Sequence, residues 1–172
     1  VKNSFYTLSS YIVSVLCTLL ITYVIANNIS EHHTGIYRYV FSWYGVLGAF
    51  MLSGITSALT ISTAKGYNSL RKAFIYKSWF SFFGLIVSLG GALYYKIGGN
   101  EELFWNFVLL AISLPILEIS NLYNSYLQGA EKFKTSAKFT VLNKISTLIS
   151  IILFVYVLHI PNSYILLISN IT

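Results

Sequence analysis

The sequence predicts an all-α fold, a polytopic bundle of transmembrane helices with five spans and an incomplete sixth, and three observations predict it. First, only 9% of the 172 residues are charged and 56% are hydrophobic, with a mean hydropathy of +0.70. A soluble domain carries about 25% charged residues, so this chain cannot clothe a water-facing surface. Second, its apolar stretches run to about 20 residues, the length that a hydrocarbon core of about 30 Å needs at about 1.5 Å per helical residue. Third, most of the charge gathers in short segments between those stretches. Strands of a membrane barrel would alternate apolar and polar residues over about ten positions, and "LLITYVIA" and "SIILFVYVL" do not alternate.

The elements follow in order as one bundle over 1–172. Residues 5–26 form the first span. This run is too long for a signal-peptide core and "VIANNIS" lacks a good small-x-small cleavage site, so it is expected to be retained. "NNISEHHTG" (27–35) is a polar turn, and 36–63 is a second span, uncharged after Arg38. "KGYNSLRK" (65–72) is a basic loop before the third span, 74–95, which has Lys77 near its start. "KIGGNEE" (96–102) turns the chain into the fourth span, 103–128, with Pro115 and Glu118 inside it. "GAEKFKTSAK" (129–138) is a second basic loop, and the fifth span, 139–159, carries Lys144 in its second turn. After "IPNS", residues 163–172 are apolar but could rise only about 15 Å as a helix. A fragment is therefore expected, with a C-terminal lobe absent.

The net charge of +6 would suggest nucleic acid in a soluble protein; here it reads as basic cytoplasmic loops, and no nucleic-acid partner is expected. With the N-terminus cytoplasmic, nine basic residues fall on the inner side (Lys2, Lys65, Arg71, Lys72, Lys77, Lys132, Lys134, Lys138, Lys144) and two, Arg38 and Lys96, on the outer. Short loops are where this bias sets orientation. Tyr37, Tyr39, Tyr94 and Tyr95 fall at interfaces, where aromatic rings sit well. Small residues recur every fourth position at Gly45, Ala49, Ser53 and Ser57, and again at Gly84, Ser88 and Ala92. Such rows are expected to let helix backbones approach.

The fourth span carries the chemistry. Glu118 is the sole charge between Leu103 and Gly129. On a helical wheel Asn121, Asn124, Ser125 and Gln128 fall with it in an arc of about 120°. The stripe runs from the midplane toward the predicted cytoplasmic end. An ionised group at the membrane centre costs roughly 2.5–3.5 kcal/mol on insertion scales, so Glu118 needs a cation partner or an aqueous cavity. Lys144 is a candidate partner, and a neutral carboxyl in an interhelical hydrogen bond is the bland alternative. Pro115, one turn before Glu118, removes a backbone hydrogen bond.

Other features carry less. Cys17, the single cysteine, cannot form an internal disulfide and reads as a small buried residue. His32–His33 lacks a cysteine or acidic cluster in ligand order, so no metal is expected, and His159 suits the outer interface. There is no aspartate, no nucleophile in a catalytic context and no phosphate loop. No cofactor, no catalytic residue and no enzymatic activity are expected.

Two stretches carry a resemblance. In "ANNISEHHTGIYRYVFSWYGVLGAFMLSGITSALTISTAKG" (26–66), Gly35 and Tyr37 follow a polar turn, and Gly54, Ala58 and Leu59 form a Gly…Ala-Leu element. In "YLQGAEKFKTSAK" (126–138), Leu127, Gln128 and Gly129 precede Lys132 and Phe133. The chain resembles the N-terminal half of the polysaccharide and O-antigen repeat-unit flippases, within the superfamily of multidrug, oligosaccharidyl-lipid and polysaccharide exporters. The departure is Thr60, Ile61 and Ser62 where family members often place an arginine after Ala-Leu. The resemblance implies a multi-pass protein of the bacterial cytoplasmic membrane in a two-lobe fold. It implies that a lipid-linked oligosaccharide on a polyprenyl diphosphate crosses by alternating access for cell-surface polysaccharide or lipopolysaccharide biosynthesis. The expected substrate-binding residues are Glu118, Asn121, Asn124, Gln128 and Lys144, with Glu118 a proton or cation coupling site or a partner for a lysine. Membrane lipids and the missing lobe are the further expected partners. A drug/cation antiporter of the same superfamily and a non-transporting membrane scaffold are the alternatives.

Overall fold

The computed structural model describes residues 2–52 and 54–157 of the chain. They form six helices: α1 (Lys2–Asn28), α2 (Glu31–Phe50), α3 (Gly54–Ala64), α4 (Leu70–Ile97), α5 (Glu101–Gly129) and α6 (Phe133–Ile152), with a wider π-type turn at Leu153–Val157. No strand occurs among the described residues. Four helices are long and apolar enough to cross a membrane, and α2 with α3 makes a fifth crossing if taken together. This is a multi-pass membrane bundle. His159 and the partial sixth span, 163–172, lie outside the described residues.

The helices extend further into the polar segments than the charge gaps suggest, because the turns are capped tightly. Ser30 accepts from the His33 amide at the start of α2, and Asn100 accepts from the Leu103 amide at the start of α5; both satisfy an otherwise orphaned N–H. Three ends close with the same pair of bonds around a left-handed residue. At Gly66 (φ +84°) and Gly99 (φ +75°) the next amide reaches back five residues, Tyr67 to Ser62 and Asn100 to Tyr95. At the end of α5 Lys132 does the same to Leu127, but the left-handed position is held by Glu131 (φ +57°) instead of glycine.

The expected single span over 36–63 is broken. α2 stops at Phe50, Leu52 takes φ +52°, and α3 leaves at 53° to α2. A continuous helix of that length would rise about 42 Å, more than about 30 Å of hydrocarbon accommodates without strong tilt. The break also re-routes backbone bonds: the Ile55 amide, which a continuous helix would give to Met51, bonds the Leu52 carbonyl instead.

α5 is the organising helix and packs on α2, α3, α4 and α6, while α1 packs on α6. The row Gly84–Ser88–Ala92 faces inward and extends back through Ser81 and Lys77 to Ala73. A Cβ on Gly91 would lie only 3.0 Å from the Phe107 ring of α5. In the other expected row Gly45, Ala49 and Ser57 are exposed, and Ser53 lies outside the described residues. The buried face of α2 is Val40 and Leu47 instead. At the far end of α5, Gly129 lets α3 in so closely that a Cβ there would lie 2.5 Å from the Thr60 carbonyl oxygen, and Thr60 Oγ1 donates to the Ser125 carbonyl at 3.1 Å.

Candidate functional site

Glu118 is buried, and its charge is met by Lys77, not by Lys144. Lys77 Nζ lies 2.5 Å from Glu118 Oε2. The Tyr44 hydroxyl donates to Oε1 at 3.1 Å. Lys77 Nζ also donates to the Met51 carbonyl at 3.0 Å, the acceptor that the α2–α3 break left free. Three elements therefore converge on the Lys77–Glu118 pair: Tyr44 of α2 on the carboxylate, α4 through Lys77 itself, and the α2–α3 break through the Met51 carbonyl on the ammonium. α6 begins at Phe133, so Lys144 is its twelfth residue rather than a member of its second turn. That brings it level with Glu118, but α6 packs chiefly on α1 and Lys144 lines cavities shared with α1 instead. Lys77 and Glu118 meet because α4 and α5 run antiparallel and pack along the buried row that contains Lys77.

The rest of the stripe opens onto two adjoining cavities. Asn121, Asn124 and Ser125 line one of about 410 Å³, with Tyr44, Lys77 and Glu118 on its wall. Asn124, Gln128 and Lys144 line a second of about 370 Å³ with residues of α1. Asn124 borders both, and its Oδ1 accepts from Ser136 Oγ at 2.5 Å, which ties α5 to α6. A third and larger cavity, about 710 Å³, lies between α1, α2 and α6 and has both Arg38 and Lys144 on its wall. The five residues marked in the sequence thus lie around neighbouring spaces. Sequence reasoning missed Lys77, Tyr44, Thr56 and Arg38. Lys77 and Arg38 carried a readable signal, a charge within an apolar run, but both had been assigned to topology.

The opposite end of the bundle is clipped by polar contacts. His33 Nδ1 bonds Glu102 Oε1 at 2.7 Å, His32 Nε2 lies 3.4 Å from Glu102 Oε2, and the Tyr39 and Tyr95 hydroxyls bond at 2.5 Å. The two histidines and Glu102 bring ligand atoms within 4.8 Å of one another. The fold thus brings the two histidines an acid, Glu102, from 69 residues beyond His33. The positive ends of α2 and α5 meet here and favour the carboxylate over an added cation.

A family model described as "Polysaccharide biosynthesis protein" matches residues 1–170. The chain belongs to the polysaccharide biosynthesis protein family. No curated protein and no solved structure matches it. Membership joins the helices long enough to span a membrane to polysaccharide synthesis, and it covers both stretches that carried the resemblance. In this polysaccharide biosynthesis protein the Gly129 of "LQG" is the point where α3 and α5 touch. Leu59, of the Gly…Ala-Leu element, is buried with Ala73 and Leu122. Those residues serve packing, and the polar stripe of α5 is left to serve the cavities.

Proposed function

We propose that this chain is part of a flippase that carries a lipid-linked oligosaccharide across the bacterial cytoplasmic membrane. One observation carries the proposal: an otherwise apolar membrane helix turns a face of carboxylate, amides and hydroxyl onto two adjoining cavities inside the bundle. Polar groups in a membrane are expensive unless they face water or a partner. Asn121, Asn124 and Gln128 suit the hydroxyl groups of sugars. Lys144, joined by Arg38 on the cavity of about 710 Å³, suits the diphosphate of a polyprenyl carrier. The Lys77–Glu118 pair suits a coupling step, because a proton arriving on Glu118 would remove its charge and release the ammonium.

In this reading a second lobe completes the cavity, and the two lobes rock about it. The N-terminus and the turns at 65–69 and 130–132 face the cytoplasm. Lys77, Lys144 and Arg38 lie two turns or more inside their helices, and leaving all three out reduces the basic count to seven inside against one outside, which keeps the bias.

The test is export by the full-length protein carrying Glu118→Gln, which keeps size and removes charge. Export per molecule, normalised to the abundance of the variant, is expected to fall sharply. Normal export by that variant would sink the coupling role. Normal export by Asn121→Leu, Asn124→Leu and Gln128→Leu as well would sink the cavity's role in transport.

A further inference from the structure

The surroundings of Lys77 Nζ differ from those of a simple ion pair. The nitrogen is buried and held by a carboxylate oxygen at 2.5 Å and a main-chain carbonyl at 3.0 Å. That carbonyl is available only because the helix is interrupted at Met51 and the Ile55 amide has gone to Leu52. A carboxylate together with carbonyls freed at a broken membrane helix is how secondary transporters coordinate an alkali cation. Thr56 and Ser125 stand on the wall of the same cavity of about 410 Å³ and offer further hydroxyl oxygens. We propose that the α2–α3 break and Glu118 form a monovalent-cation site whose cation is the protein's own, the Lys77 ammonium.

The tether has a consequence. A bound sodium ion can leave to either side and so draw on a sodium gradient. An ammonium on a lysine side chain has the same charge and seeks the same oxygens, but it cannot exchange with bulk ions. A sodium gradient therefore does no work at this position, and the proton that neutralises Glu118 remains as the exchangeable ion. That functional consequence rests on the transport reading above; the existence of the site does not.

Removing the tethered cation should open the site to a free one. The experiment measures thermal unfolding of the full-length protein in nanodiscs, in sodium chloride and in choline chloride at equal ionic strength. Wild type is expected to give the same midpoint in both. Lys77→Ala should be destabilised in choline and recover with sodium. The recovery should saturate, with a rise of about 1–3 °C once sodium is ten-fold above its dissociation constant. Lys77→Ala/Glu118→Gln should lose that response. A folded Lys77→Ala with no sodium response overturns the proposal, as does a response that survives Glu118→Gln. So does a Lys77→Ala that cannot be purified from sodium buffers while the double variant can. A sodium-dependent wild type also overturns it. Should the sodium responses appear as expected while Glu118→Gln exports normally, the cation site stands and the coupling role fails.

Discussion

Replacing Lys77 by methionine keeps most of the side-chain volume and removes the ammonium from a place where it is 2% exposed, opposite a carboxylate 8% exposed. Breaking a buried pair by removing one partner costs about 3–5 kcal/mol, because the remaining charge has neither water nor counter-ion. The Met51 carbonyl also loses its donor, an additional cost of about 1–3 kcal/mol. Glu118→Gln leaves the ammonium with Met51 and an amide oxygen, so its cost should fall at the lower end of the first range. In Lys77→Met/Glu118→Gln no buried charge is stranded, and the loss should be smaller than the sum of the singles by at least about 2 kcal/mol. Equilibrium unfolding of the four proteins, purified under one set of conditions, closes the cycle. Additivity within about 0.5 kcal/mol would mean that the two groups do not interact, and the convergence of α2, α4 and the helix break on the Lys77–Glu118 pair would be wrong.

Gly129→Ala should destabilise by about 1–3 kcal/mol in the same unfolding assay, since the new Cβ meets the backbone of Thr60 rather than a movable side chain; a neutral result would put α3 elsewhere. Glu131→Gly should stabilise by about 0.5–1 kcal/mol, because it gives the end of α5 the residue that the ends of α3 and α4 already use; a loss of stability would contradict the left-handed turn. Asn68→Cys and Asn100→Cys, each in a Cys17→Ser background, should label from opposite sides of the membrane in intact cells. Labelling of Asn68→Cys from outside would reverse the proposed orientation.

The helical nature of the long apolar runs was legible in the sequence because membrane thickness sets element length directly. The α2–α3 break was not. Nothing in "FMLSGI" marks it as a helix end more strongly than glycines elsewhere in the spans, and Leu52 is a poor residue for a positive φ. What stabilises the break is the bond from Lys77 to Met51, a contact between residues 26 positions apart. The polar arc around Glu118 was legible from the period of a helix alone, whereas its partner depended on helix offsets. α6 starts six residues earlier than the charge pattern implies, which brings Lys144 level with Glu118, yet α6 packs chiefly on α1 and Lys144 lines a cavity there. The row Gly84–Ser88–Ala92 was read correctly as a packing face, yet the same spacing at Gly45, Ala49 and Ser57 is exposed. Spacing shows which residues share a face and leaves open what the face meets.

Water on the α5 stripe is the point on which the functional reading rests, and thiol accessibility measures it directly. In the full-length protein with Cys17→Ser, single cysteines replace Asn121, Asn124 and Gln128 on the stripe and Ile112 and Ile116 on the exposed apolar side of the same helix. A membrane-impermeant thiol reagent should modify the three stripe positions and leave Ile112→Cys and Ile116→Cys unmodified, since on this reading that apolar side lies away from water. Equal reactivity on both sides, or no reaction at Asn121→Cys, Asn124→Cys and Gln128→Cys in cells actively exporting polysaccharide, would contradict a water-filled cavity on this face of α5.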